Sequence, residues 1–480
     1  MTIFYKPHNA WLADVIPFYD EGRFRLFYLH DWRNKDKYGE GTPWYQISTS
    51  DFINFTEHGE MLSRGKKDEQ DLYVFTGSII KVGDTFHIFY VGHNPYFSKL
   101  GRPNQAIMHA ISYDLLNWQK IPEDTFYARE DIYERDDWRD PFVFYNEAVD
   151  EYWMLLAARL KSGPVRRRGC IALSTSKDLK KWKVQEPFWS PNLYYTHEVP
   201  DLFRIGDWWY LVYSTFSEKF VTHYRMSKTL KGPWIAPVND TFDGRVYYAA
   251  KTASDGIKRF AFGWNSTRDK EKDYSTWSWG GNLVVHEIVQ NLDNSLSVKV
   301  PGTIDNYFKK ELTQTFTPIL GKWKIEKNKL STDAIDSFSS AFVSKTPSSC
   351  KISATVKFGK NTRGCGIILR ASSDLDKGYY IRLEPLNNRL VFDSWPREKS
   401  SLYPYYVSDN PFWLELERPI KLMSDILYEI KVFIEDTICE VYLNGEVAMS
   451  TRMYNLRKGR WGVFVQEGIA EFSNLNILAS

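Results

Sequence analysis

Features that attach a protein to a membrane or a nucleic acid are missing from this 480-residue sequence. No stretch approaches the roughly 18 apolar residues of a membrane span, and the first residues, MTIFYKPHNAW, have no apolar core of signal-peptide length. The formal net charge is only +2, so no strong field favours nucleic acid or an anionic membrane. We therefore expect a soluble cytoplasmic protein with neither a membrane nor a nucleic-acid partner, and its oligomeric state stays open.

Cysteine is also scarce, and its four positions have no spacing typical of a metal site or a redox pair. Scattered cysteines of this kind are typical of reduced thiols in the cytosol. No motif indicates a metal ion or another cofactor, so we expect none. The short basic run Arg166–Arg168 follows Gly163 and Pro164, which favours a solvated hairpin tip over a binding patch. The four cysteines are Cys170, Cys350, Cys365 and Cys439.

Aromatic residues, in contrast, are abundant at 16% of the chain. Proteins rich in β-strands use aromatics to fill pleated surfaces, whereas sugar sites stack aromatic faces on the CH groups of sugar rings. Most of these side chains must belong to the core, and only a few can contact a ligand.

A repeated strand pattern runs through the first 300 residues, where long helical periodicity is nearly absent. RFRLFYLHD begins at residue 23, and similar segments begin at residues 85, 151, 208 and 259. Several strands recurring at this spacing are typical of a β-propeller, so residues 1–300 are predicted to form five blades. The alternative is a pair of β-sandwiches with chance similarity. A strand, a Ser-containing turn and an aromatic follow each of the first four segments, and these aromatics are Phe55, Trp118, Trp182 and Trp234.

The repeat stops near residue 300, and a different strand pattern follows. Residues 301–315 are polar with one Pro and one Gly, which predicts a linker. From residue 316, segments such as KISATVKF, GYYIRLE and ICEVYLNG alternate apolar and polar residues. This alternation predicts an antiparallel β-sandwich over residues 316–480, with a hairpin turn at Asn387-Asn388. The predicted fold class is therefore all-β, a five-bladed β-propeller followed by an antiparallel β-sandwich.

Three acidic residues precede the repeated strands at similar distances: Asp14, Asp140 and Glu198. Counted to the core of the next strand, the distances are 13, 15 and 14 residues, and Thr76 lies 13 residues before its own. If these segments are the innermost strands of their blades, the three carboxylates line one end of an axial cavity. Converging carboxylates are what hydrolysis of a glycosidic bond needs, one to protonate the leaving oxygen and one to act as nucleophile or base.

Each acid also has a simpler interpretation when it is taken alone. Asp14 is typical of a turn residue at a strand start, and Asp140, beside Arg139, is typical of a structural ion pair. The neighbouring Arg139 should favour ionisation of Asp140, which suits hydrogen bonding better than proton donation. Asp201, three residues after Glu198, is expected to fix the local backbone.

The segments around these acids resemble glycoside hydrolase family 32, the invertase, levanase and inulinase group. WLADVIPF is similar to the family's WMNDPNG, FTGSII to FSGSA, WRDPFVF to FRDPKVF, HEVPDLF to WECPDLF and VYYAAKT to DFYAAQT. The resemblance implies a five-bladed propeller with a β-sandwich and hydrolysis with retention. It also implies that Asp14 is the nucleophile, that Glu198 is the general acid/base and that Asp140 holds hydroxyls of a furanose ring. The substrate contacts implied by the same matches are Trp44, Gln46, Phe75, Thr76, Arg139 and Trp279.

The sequence departs from the family pattern close to the implied nucleophile. Ala13 stands where the family has Asn, and Leu29 stands where it has Gln. A site built for hydroxyl groups loses much affinity when such polar partners vanish. Either His30, Asp31 or another polar group compensates, or the glycone is not an ordinary terminal fructose.

Three functions follow as hypotheses. The first is a retaining β-fructofuranosidase that releases terminal fructose from sucrose or short β-fructo-oligosaccharides. The second is another furanosidase or a fructosyl transferase on the same scaffold, which Ala13 and Leu29 favour. The third is a non-catalytic sugar-binding homologue, which the presence of all three acids disfavours.

Overall fold

The computed structural model describes residues 1–326, 329–394 and 416–480, and nearly all of its regular structure is β-strand. The helices among these residues are short, and none has the length and apolar character that crossing a membrane requires. The chain divides into two compact units. The first comprises Met1–Phe242, Tyr247–Ser266 and Trp279–Leu296, and the second comprises Asp243–Val246, Thr267–Ser278 and Ser297–Ser480. The helices are α1 (Lys35–Tyr38), α2 (Gly302–Asp305) and the 3-10 turns Phe97–Leu100, Pro122–Asp124, Val165–Arg167, Asp269–Glu271 and Pro385–Asn387.

The first nineteen strands follow the sequence repeat. They are β1 (Trp11–Asp20), β2 (Arg23–Asp31), β3 (Trp44–Thr49), β4 (Thr56–Leu62), β5 (Tyr73–Val82), β6 (Thr85–His93), β7 (Gln105–Ser112), β8 (Gln119–Lys120), β9 (Tyr133–Asn146), β10 (Glu151–Leu160), β11 (Gly169–Ser176), β12 (Lys183–Val184), β13 (Glu198–Ile205), β14 (Trp208–Thr215), β15 (Val221–Ser227), β16 (Tyr247–Ser254), β17 (Arg259–Arg268), β18 (Trp277–Gln290) and β19 (Leu296–Lys299).

Consecutive strands of the first unit pair with one another, so the sheets keep the order of the sequence. β5–β8 and β9–β12 each form a four-stranded sheet, and β13–β15 form a three-stranded sheet. β16–β18 join β1–β4 in one sheet because β18 pairs antiparallel with β1, where Leu12 faces Gly281. The end of the repeat therefore pairs with its beginning.

Two-residue loops connect the first two strands of several repeats. Glu21 and Gly22 join β1 to β2 with φ angles of 48° and 76°, as a type I′ turn requires. Gly83 and Gly206 begin the equivalent loops with φ angles of 59° and 56°. Glycine reaches this region without a steric penalty because it has no Cβ atom. These turns fix the register of the strand pairs that carry Asp14, Thr76 and Glu198.

A β-bulge interrupts the first strand of every repeat at the same point. In β1, Ala13 pairs with Leu29 and Ile16 with Phe27, so Asp14 and Val15 together face one residue of β2. A bulge bends the strand and changes the direction of its side chains. The equivalent bulges contain Thr76 in β5, Asp140 and Pro141 in β9, Val199 and Pro200 in β13, and Ala249 and Ala250 in β16.

The sequence spacing predicted one structural position for all three acids, but the bulges show that Glu198 lies one residue before that position. We name the first bulged residue the bulge position and the residue before it the pre-bulge position. Asp14 and Asp140 both occupy bulge positions, with φ angles of 38° and 58°. In β13 the bulge position is Val199, with φ of 51°, and Glu198 precedes it. The prediction that all three acids share one position is therefore right for two of them and wrong for Glu198, because counting residues between strands does not locate a bulge.

The strands of the second unit surround one apolar core. β24 alternates buried with half-buried residues, and its buried side chains pack with others from β25, β26, β29 and β30. The long strand β32 pairs with β25 through its first half and with β24 through its second half, so it joins two groups of strands. The strands are β20 (Lys310–Glu311), β21 (Thr317–Leu320), β22 (Trp323–Glu326), β23 (Lys329–Lys345), β24 (Ser349–Phe358), β25 (Gly364–Ala371), β26 (Tyr379–Glu384), β27 (Arg389–Ser394), β28 (Leu416–Pro419), β29 (Leu427–Glu435), β30 (Ile438–Leu443), β31 (Val447–Arg452) and β32 (Arg460–Ala479).

Three local predictions are confirmed. The turn Pro385–Asn387 and Asn388, whose φ is 49°, connect β26 to β27. The basic run Arg166–Arg168 lies at the tip of the hairpin between β10 and β11, where Arg168 pairs with Glu134 at 2.9 Å. All four cysteines are free and buried.

Candidate active site

The bulges of the first unit place two sets of residues side by side. The hydrogen bonds of the acids run mainly within each set, so each set acts as a layer. The pre-bulge layer holds Ala13, Phe75, Arg139, Glu198 and Tyr248. The bulge layer holds Asp14, Thr76, Asp140, Val199 and Ala249.

Glu198 is held by two neighbours of the pre-bulge layer. The Arg139 guanidinium donates to Glu198 Oε1 at 3.1 Å, and the Tyr248 hydroxyl donates to Oε2 at 2.6 Å. Arg139 is itself fixed by Asp137 at 2.7 Å and by the Thr196 hydroxyl at 3.2 Å. Both carboxylate oxygens of Glu198 are therefore oriented, which is what a group that transfers a proton to a fixed atom requires.

Asp14 accepts one hydrogen bond on each oxygen. The Thr76 hydroxyl donates to Oδ2 at 2.5 Å, and the Trp264 indole N–H donates to Oδ1 at 3.0 Å. Removal from water raises the pKa of Asp14 to about 6, although these two hydrogen bonds lower it. The nearby Glu198 raises the pKa of Asp14 further, while Lys251 lowers it. The Asp14 carboxyl is thus oriented by two donors, but its surroundings do not strongly favour the ionised form.

Asp140 is almost completely buried and accepts the Val199 backbone N–H at 3.0 Å. Burial raises its pKa to about 7, even though Arg139 lies 3.9 Å away and opposes the effect. Glu198 and Asp14 raise the pKa of Asp140 as well. Arg139 favours ionisation of Asp140, as expected, but desolvation and two like charges outweigh this one cation, so the pKa of Asp140 rises.

The three predicted acids lie close together. Glu198 raises the pKa of both Asp14 and Asp140, and Asp14 raises that of Asp140, which requires close approach. The rings of Tyr248 and Trp264, one bonded to Glu198 and the other to Asp14, lie 5.6 Å apart at their centroids. Asp14 and Glu198 therefore approach one space from two strands that are far apart in sequence.

The other implied substrate contacts fall into two groups: four residues lie at or near the acids, and two are fully buried. Thr76 and Arg139 bind the acids directly, and Phe75 and the partly exposed Trp279 lie beside each other with ring centroids 6.5 Å apart. Trp279 is also 6.5 Å from Trp264. The side chains of Trp44 and Gln46 are fully buried; they donate to the backbone carbonyls of Phe75 and Leu115 at 3.1 and 2.9 Å.

Three residues of the site were missed at the level of sequence. Tyr248 and Lys251 belong to VYYAAKT, and Trp264 belongs to RFAFGW; both segments were recognised, but none of these residues was singled out. Their signal was available, because VYYAAKT is the first strand of the fifth repeat and occupies the same place as the acid-bearing strands. Asp201, which was expected to fix the local backbone, accepts the backbone N–H of Thr252 in β16 at 2.5 Å and so holds a strand remote in sequence.

At the pre-bulge level, the side of the site formed by β1 and β2 is apolar. Ala13 and Leu29 pair directly with each other and are fully buried. The neighbouring polar residues are engaged elsewhere: His30 stacks on Tyr45 with ring centroids 4.0 Å apart, and Asp31 pairs with Arg33 at 3.4 Å. Burial also lowers the pKa of His30 to about 4, so its ring is neutral at neutral pH. Neither residue has a hydrogen bond to the acids in the described part of the chain.

Sequence models of one enzyme family cover almost the whole chain. The Glycosyl hydrolases family 32 N-terminal domain matches residues 4–297, and the Glycosyl hydrolases family 32 C terminal domain matches residues 315–479. This chain belongs to glycoside hydrolase family 32. The resemblance stated from the motifs is confirmed, and the protein is a glycosidase of that family.

Individual family members are similar at low identity. Raffinose invertase of Escherichia coli is 21% identical over 478 residues, covering 93% of this chain and 88% of that protein. Sucrose-6-phosphate hydrolase of Vibrio alginolyticus is 27% identical over 203 residues, covering 39% of this chain and 36% of that protein. The structure of sucrose-6-phosphate hydrolase from Lactobacillus gasseri matches with a TM-score of 0.71 and 16% identity over 98% of this chain and 90% of that one. This likeness shows the fold, a β-propeller with a β-sandwich.

Proposed function

We propose that this family 32 glycosidase is a retaining β-fructofuranosidase that releases terminal fructose from sucrose or short β-fructo-oligosaccharides. The observation that carries the proposal is the proximity of Asp14 and Glu198, each of which is oriented by its own pair of donors, with the supporting rings of Trp264 and Tyr248 5.6 Å apart at their centroids. Glycosidases place two carboxyls beside the bond that they cleave, and in a retaining enzyme these carboxyls lie about 5–5.5 Å apart.

In the proposed reaction, the Asp14 carboxylate attacks the anomeric carbon of the fructosyl ring. The Glu198 carboxyl gives its proton to the glycosidic oxygen, so the bond to the leaving group breaks and the aglycone departs with that proton. Glu198 then takes a proton from water, whose oxygen attacks the same carbon and frees Asp14. Asp140 accepts hydrogen bonds from hydroxyls of the ring.

We assign five blades and three segments to the fold. The blades are β1–β4, β5–β8, β9–β12, β13–β15 and β16–β18, because each begins with a bulged strand. Residues 1–300 form the propeller, 301–315 the linker and 316–480 the sandwich. Thr76 and Arg139, which bind the acids, and the adjacent Phe75 and Trp279 are the proposed substrate contacts, while Trp44 and Gln46 remain predictions.

The apolar pair Ala13 and Leu29 supports a second candidate, another furanosidase or a fructosyl transferase on the same scaffold. A pocket wall without hydroxyl partners discriminates weakly in favour of fructose. It also binds water less well, which favours transfer to a sugar acceptor. This candidate differs from the first in the glycone or in the acceptor, and the same two carboxyls carry it.

The test is a product assay with purified protein. Sucrose, sucrose 6-phosphate, 1-kestose, inulin and levan are incubated in parallel with a panel of nitrophenyl furanosides, with Glu198→Gln as the control for contaminating activity. Free fructose from sucrose or kestose supports the proposal. Hydrolysis of an arabinofuranoside alone supports the second candidate, and a folded protein that releases no sugar from any substrate contradicts both.

Retention is tested separately by adding methanol as an acceptor. A covalent intermediate on Asp14 passes the fructosyl group to methanol on the face from which the first leaving group departed, so the methyl β-fructofuranoside forms. Formation of the α-anomer would contradict the assigned roles of Asp14 and Glu198.

A further inference from the structure

A cavity of the first unit lies beside β2 and β3, and the proposed reaction does not use it. Its volume is about 280 Å³, which is close to the lower end of the roughly 300–1,000 Å³ that small-molecule pockets occupy. A cavity of this size suits one small ring rather than an extended chain. The aromatic residues that line it are Tyr28, His30, Trp32, Tyr38 and Tyr45, and the acidic residue that lines it is Glu57.

The cavity and the acids lie on different faces of these strands. Leu29, which pairs with Ala13, belongs to the apolar side of the acid site. Because successive side chains of a strand point to opposite faces, Tyr28 and His30 face away from Leu29. Tyr45 pairs with Tyr28 and shares that face. The cavity is therefore separate from the site of the three acids.

The aromatic rings of the cavity form two stacked pairs. Trp32 lies against Tyr38 with ring centroids 5.4 Å apart, and His30 lies against Tyr45 with ring centroids 4.0 Å apart. The rings of Trp32 and Tyr45 are 6.2 Å apart at their centroids and nearly perpendicular, at 89°. The two pairs thus form a corner of aromatic faces, and the CH groups of a sugar ring stack on such faces.

Polar groups of the cavity lack partners within the protein. The Nδ1 atom of His30, a residue that is only 5% exposed, has no hydrogen-bond partner in the described part of the chain. The hydroxyl groups of Tyr38 and Tyr45 also have none among the residues that the structure describes. Since buried donors and acceptors are normally paired, a ligand that carries hydroxyl groups would satisfy groups that the protein leaves unbonded.

The charges around the cavity favour a neutral ligand. The Arg64 guanidinium lies 5.2 Å from the centroid of the Trp32 ring. The Lys37 ammonium lies 4.9 Å from the centroid of the Tyr38 ring. A cationic ligand would compete with these two cations for the same rings and would be repelled by them. An anionic ligand would be repelled by Glu57.

We propose that this cavity is a second sugar site, which binds one ring of a neutral saccharide and takes no part in bond cleavage. The aromatic corner stacks on the sugar ring, and His30, Tyr38 and Tyr45 bind its hydroxyl groups. The inference does not rest on the proposed function, because neither Asp14 nor Glu198 lines the cavity.

The experiment follows indole N–H signals by ¹H–¹⁵N NMR in the full-length protein. Trp32 reports on the cavity, and Trp264, which is bonded to Asp14, reports on the acid site. Trp32→Phe and Trp264→Phe assign the two signals. The probes are D-glucose, D-fructose and methyl α-D-glucopyranoside, with choline as a cation. We expect a sugar to shift the Trp32 signal saturably with a Kd on the order of millimolar, and choline to leave it unchanged.

Two variants test the residues that form the cavity. Tyr38→Ala removes one ring of the aromatic corner and should raise the Kd about tenfold. Tyr45→Phe keeps the ring but removes its hydroxyl and should raise the Kd about fivefold. Trp208→Phe is the matched control, because Trp208 is also half-buried and has the Lys228 ammonium 5.2 Å from its ring centroid, but it lies in β14 outside the cavity. This control should leave the Kd unchanged.

Three results would overturn the inference. One is a Trp32 signal in the folded wild type that no sugar shifts. Another is a shift with choline alone, which would make the cavity a cation site. The third is an unchanged Kd in both Tyr38→Ala and Tyr45→Phe, which would place the sugar elsewhere. The first two results come from the wild type, so they decide even if a variant does not fold.

The two indole signals also separate this inference from the proposed function. A sugar that shifts Trp264 but not Trp32 would support a sugar at the acids and contradict the second site. A sugar that shifts Trp32 in a protein that fails the product assay would leave the second site intact.

Discussion

The two sides of the acid pocket are built differently. On the side formed by β9, β13 and β16, the pre-bulge residues are Arg139, Glu198 and Tyr248. Arg139 and Tyr248 each donate a hydrogen bond to the Glu198 carboxylate. On the side formed by β1 and β2, the pre-bulge residue is Ala13, and its partner across the strands is Leu29. One side is fully polar and pre-oriented, and the other offers no hydrogen-bonding side chain at the same level.

This difference separates chemistry from recognition. Pre-oriented charged groups stabilise developing charge without reorganisation, whatever sugar is bound. Discrimination between sugars depends on whether each hydroxyl finds a partner, and the apolar side has lost two side chains that the family pattern supplies there. On the proposed function, the polar side serves the reaction, and we expect the apolar side to affect which glycoside is accepted.

The largest effect is expected from replacing the proposed nucleophile, Asp14, which lies in the bulge layer. Asp14→Asn keeps the shape of the side chain and its contacts to Thr76 and Trp264 but cannot form the glycosyl intermediate. We expect kcat to fall on the order of 10⁴-fold or more, as for other covalent nucleophiles. The measurement is fructose release by purified variant and wild type. A loss below tenfold would show that Asp14 is not the nucleophile.

The same substitution should stabilise the protein at neutral pH. The folded protein raises the pKa of Asp14 from 3.8 to about 6, so it binds the proton more tightly than the unfolded chain does. Ionisation above pH 6 therefore costs stability, in the range of about 1–3 kcal/mol, and Asn avoids this cost. Urea unfolding should show Asp14→Asn more stable than wild type at pH 7.5, with the gain lost as the pH falls from 6 to 4. A gain that persists at pH 4 would contradict this electrostatic origin.

A polar group added to the apolar side tests whether that side contacts the substrate. Leu29→Gln keeps nearly the same volume and restores the amide that the family pattern has at this position. If the glycone is a fructosyl ring, one new hydrogen bond should lower KM for sucrose or kestose about fivefold, because such a bond contributes about 1 kcal/mol. Leu29→Met is the control, since it changes shape without adding a donor. Equal KM values in the two variants would place Leu29 away from the ring.

The smallest effect is expected at the hydroxyl that supports the nucleophile. Thr76→Val removes the 2.5 Å hydrogen bond to Asp14 and conserves volume. Because this bond lowers the pKa of Asp14, its loss should move the acid limb of kcat/KM upward by less than about one pH unit. Thr76→Ser keeps the hydroxyl and should behave like the wild type. If the acid limb of kcat/KM were unchanged in Thr76→Val, the ionisation of Asp14 would not determine that limb.

Sequence alone predicted the architecture because its signals are local and repeated. Alternating strands with turn residues such as Glu21-Gly22 specify hairpins, and recurrence specifies blades. The positions of Asp14, Asp140 and Glu198 in first strands were enough to predict that they converge. Bulges, in contrast, depend on how two strands pair, so the offset of Glu198 from the other two acids was invisible in the sequence.

What the sequence by itself determined is the all-β class and the family, since both follow from residue types at fixed spacings; for the three acids it gave a prediction. Only the tertiary structure decided how those acids behave. The burial that outweighs Arg139 at Asp140 and the hydrogen bonds of Tyr248 and Trp264 to two different carboxyls arise between strands remote in sequence. Ionisation depends on distance and desolvation in three dimensions, and neither quantity is written in the order of residues along the chain.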